Sequence, residues 1–127
     1  MAQPHAVSGQ VVSVRPLGPA IHDARTTALI KADQLEVVRL VLPAGKGLRE
    51  HQAPGEITVL CIEGEVEFTT PGATRVMTAG DWIHLRRLEP HALHARAHTS
   101  LLVTLCLDAE PGASGGPPSS FADPSCC

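Results

Sequence analysis

An all-β fold is predicted for this chain, and three observations predict it. Eleven Gly and eleven Pro punctuate 127 residues, which leaves little room for long helices. Between them lie short apolar runs rich in Val, Ile, Leu and Thr. These runs recur at roughly ten-residue spacing with turn chemistry between them, the pattern of a β-sandwich or barrel. At 43% hydrophobic and 18% charged, the composition suits one soluble domain with its own core.

Each element follows from its residues. Val11, Val12 and Val14 form an apolar, strand-like run that Arg15-Pro16 ends. Thr26–Lys31 is rich in β-branched residues, and Ala32-Asp33-Gln34 turns it into Leu35–Leu42. A helix can be drawn through residues 24–42, but the Val-Val and Leu-Val-Leu clusters favour strands. Pro43–Gly47 reads as a loop, and Ile57–Glu63, apolar on both faces, as a buried strand. Glu63-Gly64-Glu65 makes a tight reversal into Val66–Thr69, and Thr70–Ala73 turns the chain again. Residues 75–78 and 82–85 follow as strands around Ala79-Gly80-Asp81. A last pair, 91–97 and 99–108, reverses at His98-Thr99. Residues 1–9 read as a loose segment and 10–110 as the domain. In 111–127, eleven of 17 residues are Pro, Gly or Ser, the composition of a disordered tail.

Composition also excludes partners. Ten Lys/Arg against thirteen Asp/Glu give a net charge of −3, and aromatics are only 2%. A nucleic-acid binder needs a basic face and, for single strands, stacking rings, so no nucleic-acid partner is expected. No apolar run reaches the roughly 18–20 residues of a membrane span, so no membrane partner is expected. Met1–His5 shows no basic region leading into an apolar segment. Cys61 and Cys106 lie in apolar runs, and Cys126 and Cys127 are adjacent; free thiols in a reducing cytoplasm are expected.

Two stretches sharpen the fold. Gly45, His51 and Gly64 stand within GKGLREHQAPGEITVLCIEGEVEF, and Gly80-Asp81 leads to Pro90-His91 within GDWIHLRRLEPHALHA. This pair of motifs resembles the cupin superfamily, small double-sheet jelly rolls, and the resemblance implies a double-stranded β-helix barrel. It also implies where a site would lie. Metal-binding cupins are similar to one another in a His-x-His-x3-Glu array plus a later His, a donor set suited to Fe, Mn, Ni or Zn. Here His51 and His91 match the first and last ligands, while Ala53 and Ile57 replace the second His and the Glu.

Glu56, one place before the expected Glu, becomes a third ligand only if a bulge at Pro54-Gly55 re-aims it. The expected pocket is therefore lined by His51, Ala53, Ile57, Val59, Cys61 and His91, with His51, His91 and Glu56 as the candidate metal ligands. His84 and His94 fall on the opposite faces of their strands, and His5, His22 and His98 in loops. Glu63, Glu65 and Glu67 share one face and read as a solvated surface. Arg86 and Arg87 stand where many cupins have Pro; they read as a solvated turn or as a reach toward an anion or a partner chain.

Three functions compete. The first is a cupin that binds a compact ligand in an apolar barrel pocket without catalysis, with no cofactor. The second is a metal-dependent enzyme of dioxygenase or isomerase type with an irregular His/His/Glu site holding a divalent transition metal. The third is a structural dimerisation module. A homodimer is expected under all three, because strands apolar on both faces need a second cover.

Overall fold

The computed structural model describes residues 5–107. A short 3-10 helix (Gly18–Asp23) precedes nine strands: β1 (Thr27–Lys31), β2 (Leu35–Leu42), β3 (Gly47–His51), β4 (Ile57–Glu63), β5 (Glu65–Thr70), β6 (Ala73–Thr78), β7 (Trp82–Leu85), β8 (His91–Ala95) and β9 (Thr99–Cys106). They form a five-stranded sheet in the order β1-β2-β9-β4-β7 and a four-stranded sheet in the order β3-β8-β5-β6. Every described pairing is antiparallel. The result is the expected all-β jelly roll, with no helix among the described residues long and apolar enough to cross a membrane.

Period-two alternation builds the core between the sheets. Val38, Leu40 and Leu42 from β2, Ile57, Val59 and Cys61 from β4, and Leu101, Val103 and Leu105 from β9 face inward from one layer. Val66 and Phe68 from β5, Met77 from β6, and Leu93 and Ala95 from β8 meet them from the other. The two sheets are thus joined by an aliphatic interior with one aromatic ring.

The reversals at Gly64 and His98 are corners between sheets and not hairpins: β4 and β9 belong to the five-stranded layer, β5 and β8 to the four-stranded one. Gly64 has φ +95°, and a Cβ there would sit 2.4 Å from His98 O and 2.4 Å from Thr99 Oγ1. Only glycine lets the two corners touch. Thr99 Oγ1 completes the contact by accepting Glu65 N–H at 3.0 Å.

Three expectations change. Val11–Val14 forms no strand, and Val11 is 94% exposed. The carbonyls of Ser13 and Arg15 go instead to the Arg39 guanidinium on the outer face of β2, which uses them where a ladder would. Just before it, Ala6 N–H reaches Leu29 O of β1 at 2.8 Å. Gly47–His51 is a strand, β3, whose polar Gly-Leu-Arg-Glu-His sequence carries no β-branched signal; it is an edge strand, largely exposed. Glu63 is not a solvated surface carboxylate. It accepts Leu17 N–H (2.8 Å), Gly18 N–H (3.1 Å) and Ser100 Oγ–H (2.6 Å), and so clasps the N-terminal segment to the sheet. Glu65 and Glu67 do face outward, both bonded to Arg96. The tail of residues 111–127, with Phe121, Cys126 and Cys127, lies outside the described residues.

Burial alone would raise the Glu63 pKa, but the hydrogen bonds from Ser100, Leu17 and Gly18 and the Arg39 charge outweigh it and hold the carboxyl below its ordinary value. A depressed carboxyl contributes stability above its unfolded pKa, roughly 4.3, and loses it as pH falls through the folded value. Glu63→Gln is therefore expected to cost about 1–3 kcal/mol at pH 7, with the gap to wild type closing below about pH 4, as read by thermal denaturation across pH. Gly64→Ala is expected to cost more than about 2 kcal/mol, whereas Gly72→Ala, at φ +85° but with open space around it, costs about 1 kcal/mol. Chemical denaturation of the two variants separates the crowded corner from the merely left-handed turn.

Candidate functional site

The site begins with two edge-to-centre neighbours in the four-stranded sheet. β3 pairs with β8, and a register irregularity between Leu48 and His51 brings His51 opposite His91. Their rings lie 4.2 Å apart, tilted by 59°. The Phe68 ring of β5 lies nearly parallel to His91, with centroids 5.8 Å apart.

Backbone carbonyls select the tautomer of both rings. His51 Nδ1 lies 2.8 Å from Arg49 O, and His91 Nδ1 lies 3.0 Å from Glu89 O. A carbonyl only accepts, so each Nδ1 carries the hydrogen and donates it. In the neutral rings Nε2 is then a bare lone pair. Burial holds the His91 pKa below the ordinary imidazole value, and the neighbouring His51 adds to that effect, so His91 stays neutral near pH 7. His51 Nε2 is buried without a hydrogen-bond partner among the described residues. A buried acceptor left unsatisfied costs about 1–3 kcal/mol, which marks this atom as the point where a ligand donor is missing.

The space beside the pair is small. The cavity measures about 10 Å³, close to the room of one water molecule. Besides the two histidines it is walled by Ile57, Val59 and Phe68 and by leucines from β2, β3, β8 and β9. Leu48 is the half-buried member of that wall, on the edge strand β3.

The residues singled out by sequence divide. His51, Ile57, Val59 and His91 come together around the cavity. Ala53 is buried, yet it does not line the cavity; its carbonyl accepts Leu88 N–H at 2.8 Å and ties together the loops on either side of the site. Cys61 faces inward but lies away from the cavity, its thiol directed at Glu63 O at 3.6 Å. Burial, with the nearby Asp81 charge, pushes this thiol up to about 11, so it is an inert core residue. Glu56 is not re-aimed toward the histidines: its Oε1 takes His84 Nε2 at 2.6 Å on the outer side of β7. The alternation of β4 already directs it there, and no bulge reverses it. Phe68 and the leucines are what sequence reasoning missed. Their signal was present as inward positions of alternating strands, but only the packed barrel shows which end of the core they occupy.

The donor set does not fit a resident metal. Two imidazoles face the cavity, Ala53 and Ile57 offer no lone pair, Glu56 is engaged elsewhere, and no cluster of three or more His, Cys, Asp or Glu side chains occurs among the described residues. What the pair can do chemically is accept hydrogen bonds. The tautomers are directly measurable: long-range ¹H–¹⁵N correlation at pH 7.5 is expected to show protonated Nδ1 and bare Nε2 in His91, and the neutral form of His51 is expected to carry its hydrogen on Nδ1. A neutral ring with its hydrogen on Nε2 would contradict the geometry.

Residues 38–108, more than half of the chain, match the cupin domain family. No curated protein matches the chain. Among solved structures, it is similar to a cupin superfamily protein of Desulfitobacterium hafniense, with TM-score 0.66 and 20% identity over 77% of this chain and 95% of that one. An RmlC-like cupin of Desulfovibrio desulfuricans gives TM-score 0.60 and 22% identity over 84% and 97%. The DMSP lyase DddQ of Ruegeria pomeroyi gives TM-score 0.62 and 27% identity over 76% of this chain but 54% of that one.

Proposed function

The chain belongs to the cupin family, and from that premise we propose that it binds a compact hydrogen-bond donor at the His51–His91 pair without catalysing its conversion. The observation that carries this reading is the buried, unpartnered Nε2 of His51 beside a second imidazole whose Nδ1 is likewise committed to a carbonyl. Two lone pairs in an apolar enclosure select a small molecule with N–H or O–H groups and reject anions, which bring no donor. A ligand larger than water enters by displacing Leu48, since β3 is an edge strand that pairs, among the described strands, with β8 alone.

The second reading is a metal-dependent enzyme of dioxygenase or isomerase type; the likeness to a lyase supports its being an enzyme. It requires a third ligand from outside the two histidines, because Glu56 is bonded to His84. Metal content of protein purified without chelator or a nickel column separates the two. About one equivalent of Fe, Mn, Ni or Zn that disappears in His51→Ala overturns the metal-free reading. Substoichiometric metal, unchanged in His51→Ala, supports it. Titration with methanol, formamide and urea, read on the His51 and His91 ¹⁵N resonances, is expected to give saturable shifts for at least one probe. Leu48→Ala is expected to tighten that binding severalfold, at a cost of about 1–2 kcal/mol in stability.

We also propose a cytoplasmic homodimer that uses the outer face of the five-stranded sheet. There Leu102, Leu60 and Trp82 form one cross-strand row, and Val37, Thr104 and Thr58 the next, with Trp82 60% exposed. The outer face of the other sheet is polar, with Glu67 opposite His94. Of the charged side chains on that face, Arg39 is turned to the Ser13 and Arg15 carbonyls with its charge beside Glu63, and Glu56 is bonded to His84. Light scattering after size exclusion is expected to give a dimer at tens of micromolar and a monomer for Leu60→Glu; a monomeric wild type overturns the proposal.

A further inference from the structure

The barrel leaves one side seam open. β6 ends the four-stranded sheet and β7 ends the five-stranded sheet, and these two edges are not paired with each other. Between them lies a cleft of about 310 Å³, separate from the histidine cavity. Its chemistry is distinct. Arg75 of β6 projects into it with no ion-pair partner among the described residues, and Thr70 supplies a hydroxyl beside it. From the other side comes Arg86, 80% exposed, whose Nε binds Glu89 Oε1 at 2.9 Å while its terminal nitrogens make no further bond among the described residues. Ile83 and Leu85 line the cleft between these polar groups. His84 also borders it but is already answered by Glu56.

Among the side chains that line the cleft, two guanidiniums stand against the single Glu89 carboxylate, Glu56 lying behind His84, and an apolar strip runs between the cations. From this juxtaposition of the unpaired Arg75, the half-engaged Arg86 and the Ile83/Leu85 strip, we propose that the β6–β7 cleft is a binding site for a small organic carboxylate. The carboxylate accepts two parallel N–H bonds from Arg75, the arrangement a guanidinium fork favours. Its short alkyl body lies along Ile83 and Leu85. This places the Arg86 that stood out in the sequence in an anion site and not in a merely solvated turn, and it is independent of the histidine-pair reading.

The test is a titration of the full chain with sodium butyrate at constant ionic strength, followed by backbone amide shifts in ¹H–¹⁵N spectra. Saturable shifts are expected at Thr70, Arg75, Ile83 and Leu85. Butyrate is expected to bind about tenfold more tightly than acetate, as two more methylenes leave water. Arg75→Gln and Arg86→Gln, checked for unchanged spectral dispersion, are each expected to weaken binding, Arg75→Gln at least tenfold; Arg25→Gln, an exposed arginine outside the cleft, leaves it unchanged. Shifts that never saturate, that sodium chloride reproduces, or that survive Arg75→Gln overturn the proposal. So does inorganic phosphate binding as tightly as butyrate, because phosphate makes no use of the apolar strip.

Discussion

The fold depends on β9. This last described strand enters between β2 and β4 and pairs along its length with both, from Leu35↔Cys106 to Leu42↔Thr99 on one side and from Ile57↔Leu105 to Glu63↔Ser100 on the other. Without it the five-stranded sheet is two separate pieces, β1-β2 and β4-β7. Its inward residues Leu101, Val103 and Leu105 are also the middle of the core. The contacts that close the sheet thus join residues far apart in sequence, which makes the topology non-local and its formation slow relative to helical proteins of this length. The Gly64 corner belongs to the same constraint, because β9 can begin at Thr99 only where no Cβ blocks it.

That packing determines the character of the site. The interior is filled by aliphatic side chains and Phe68, so the space left at the histidines is about one water in size. The absence of lone pairs at Ala53 and Ile57 and the outward turn of Glu56 leave the imidazoles without further donors around the cavity. Their carbonyl partners, Arg49 O and Glu89 O, lie two residues back along the same chain segments, so each ring is oriented locally. Polarity is concentrated elsewhere: at the Glu63 clasp, on the Glu65–Glu67–Arg96 surface and along the β6–β7 seam.

Much of this was legible residue by residue. Clusters of β-branched and apolar residues identified β2, a run apolar on both faces identified β4, and alternation identified β5 and the shared face of Val59 and Cys61, because side chains along a strand repeat with period two. The resemblance of the Gly45–Gly64 and Gly80–His91 stretches to cupin motifs singled out the histidine pair. The failures have physical causes. β3 is an edge strand whose polar residues face solvent, so burial leaves no imprint on its sequence. Val11–Val14 has strand composition, but its carbonyls at Ser13 and beyond are used by Arg39, a partner no local pattern announces. Glu63 resembled its neighbours Glu65 and Glu67 in a run of alternating acids, yet a corner between sheets separates it from them.

By itself, then, the sequence determined an all-β chain and its strand spacing, since periodicity and turn chemistry act over a few residues, and its likeness to cupin motifs singled out the two histidines. Only the tertiary structure decided what those histidines can do. Whether Glu56 reaches them depends on the face of β4 and on its bond to His84, 28 positions along the chain. Whether a pocket exists depends on how leucines from four strands and Phe68 fill the barrel. Close packing of inward side chains from non-adjacent strands sets both outcomes, and volume filled between two sheets is not written in any one strand.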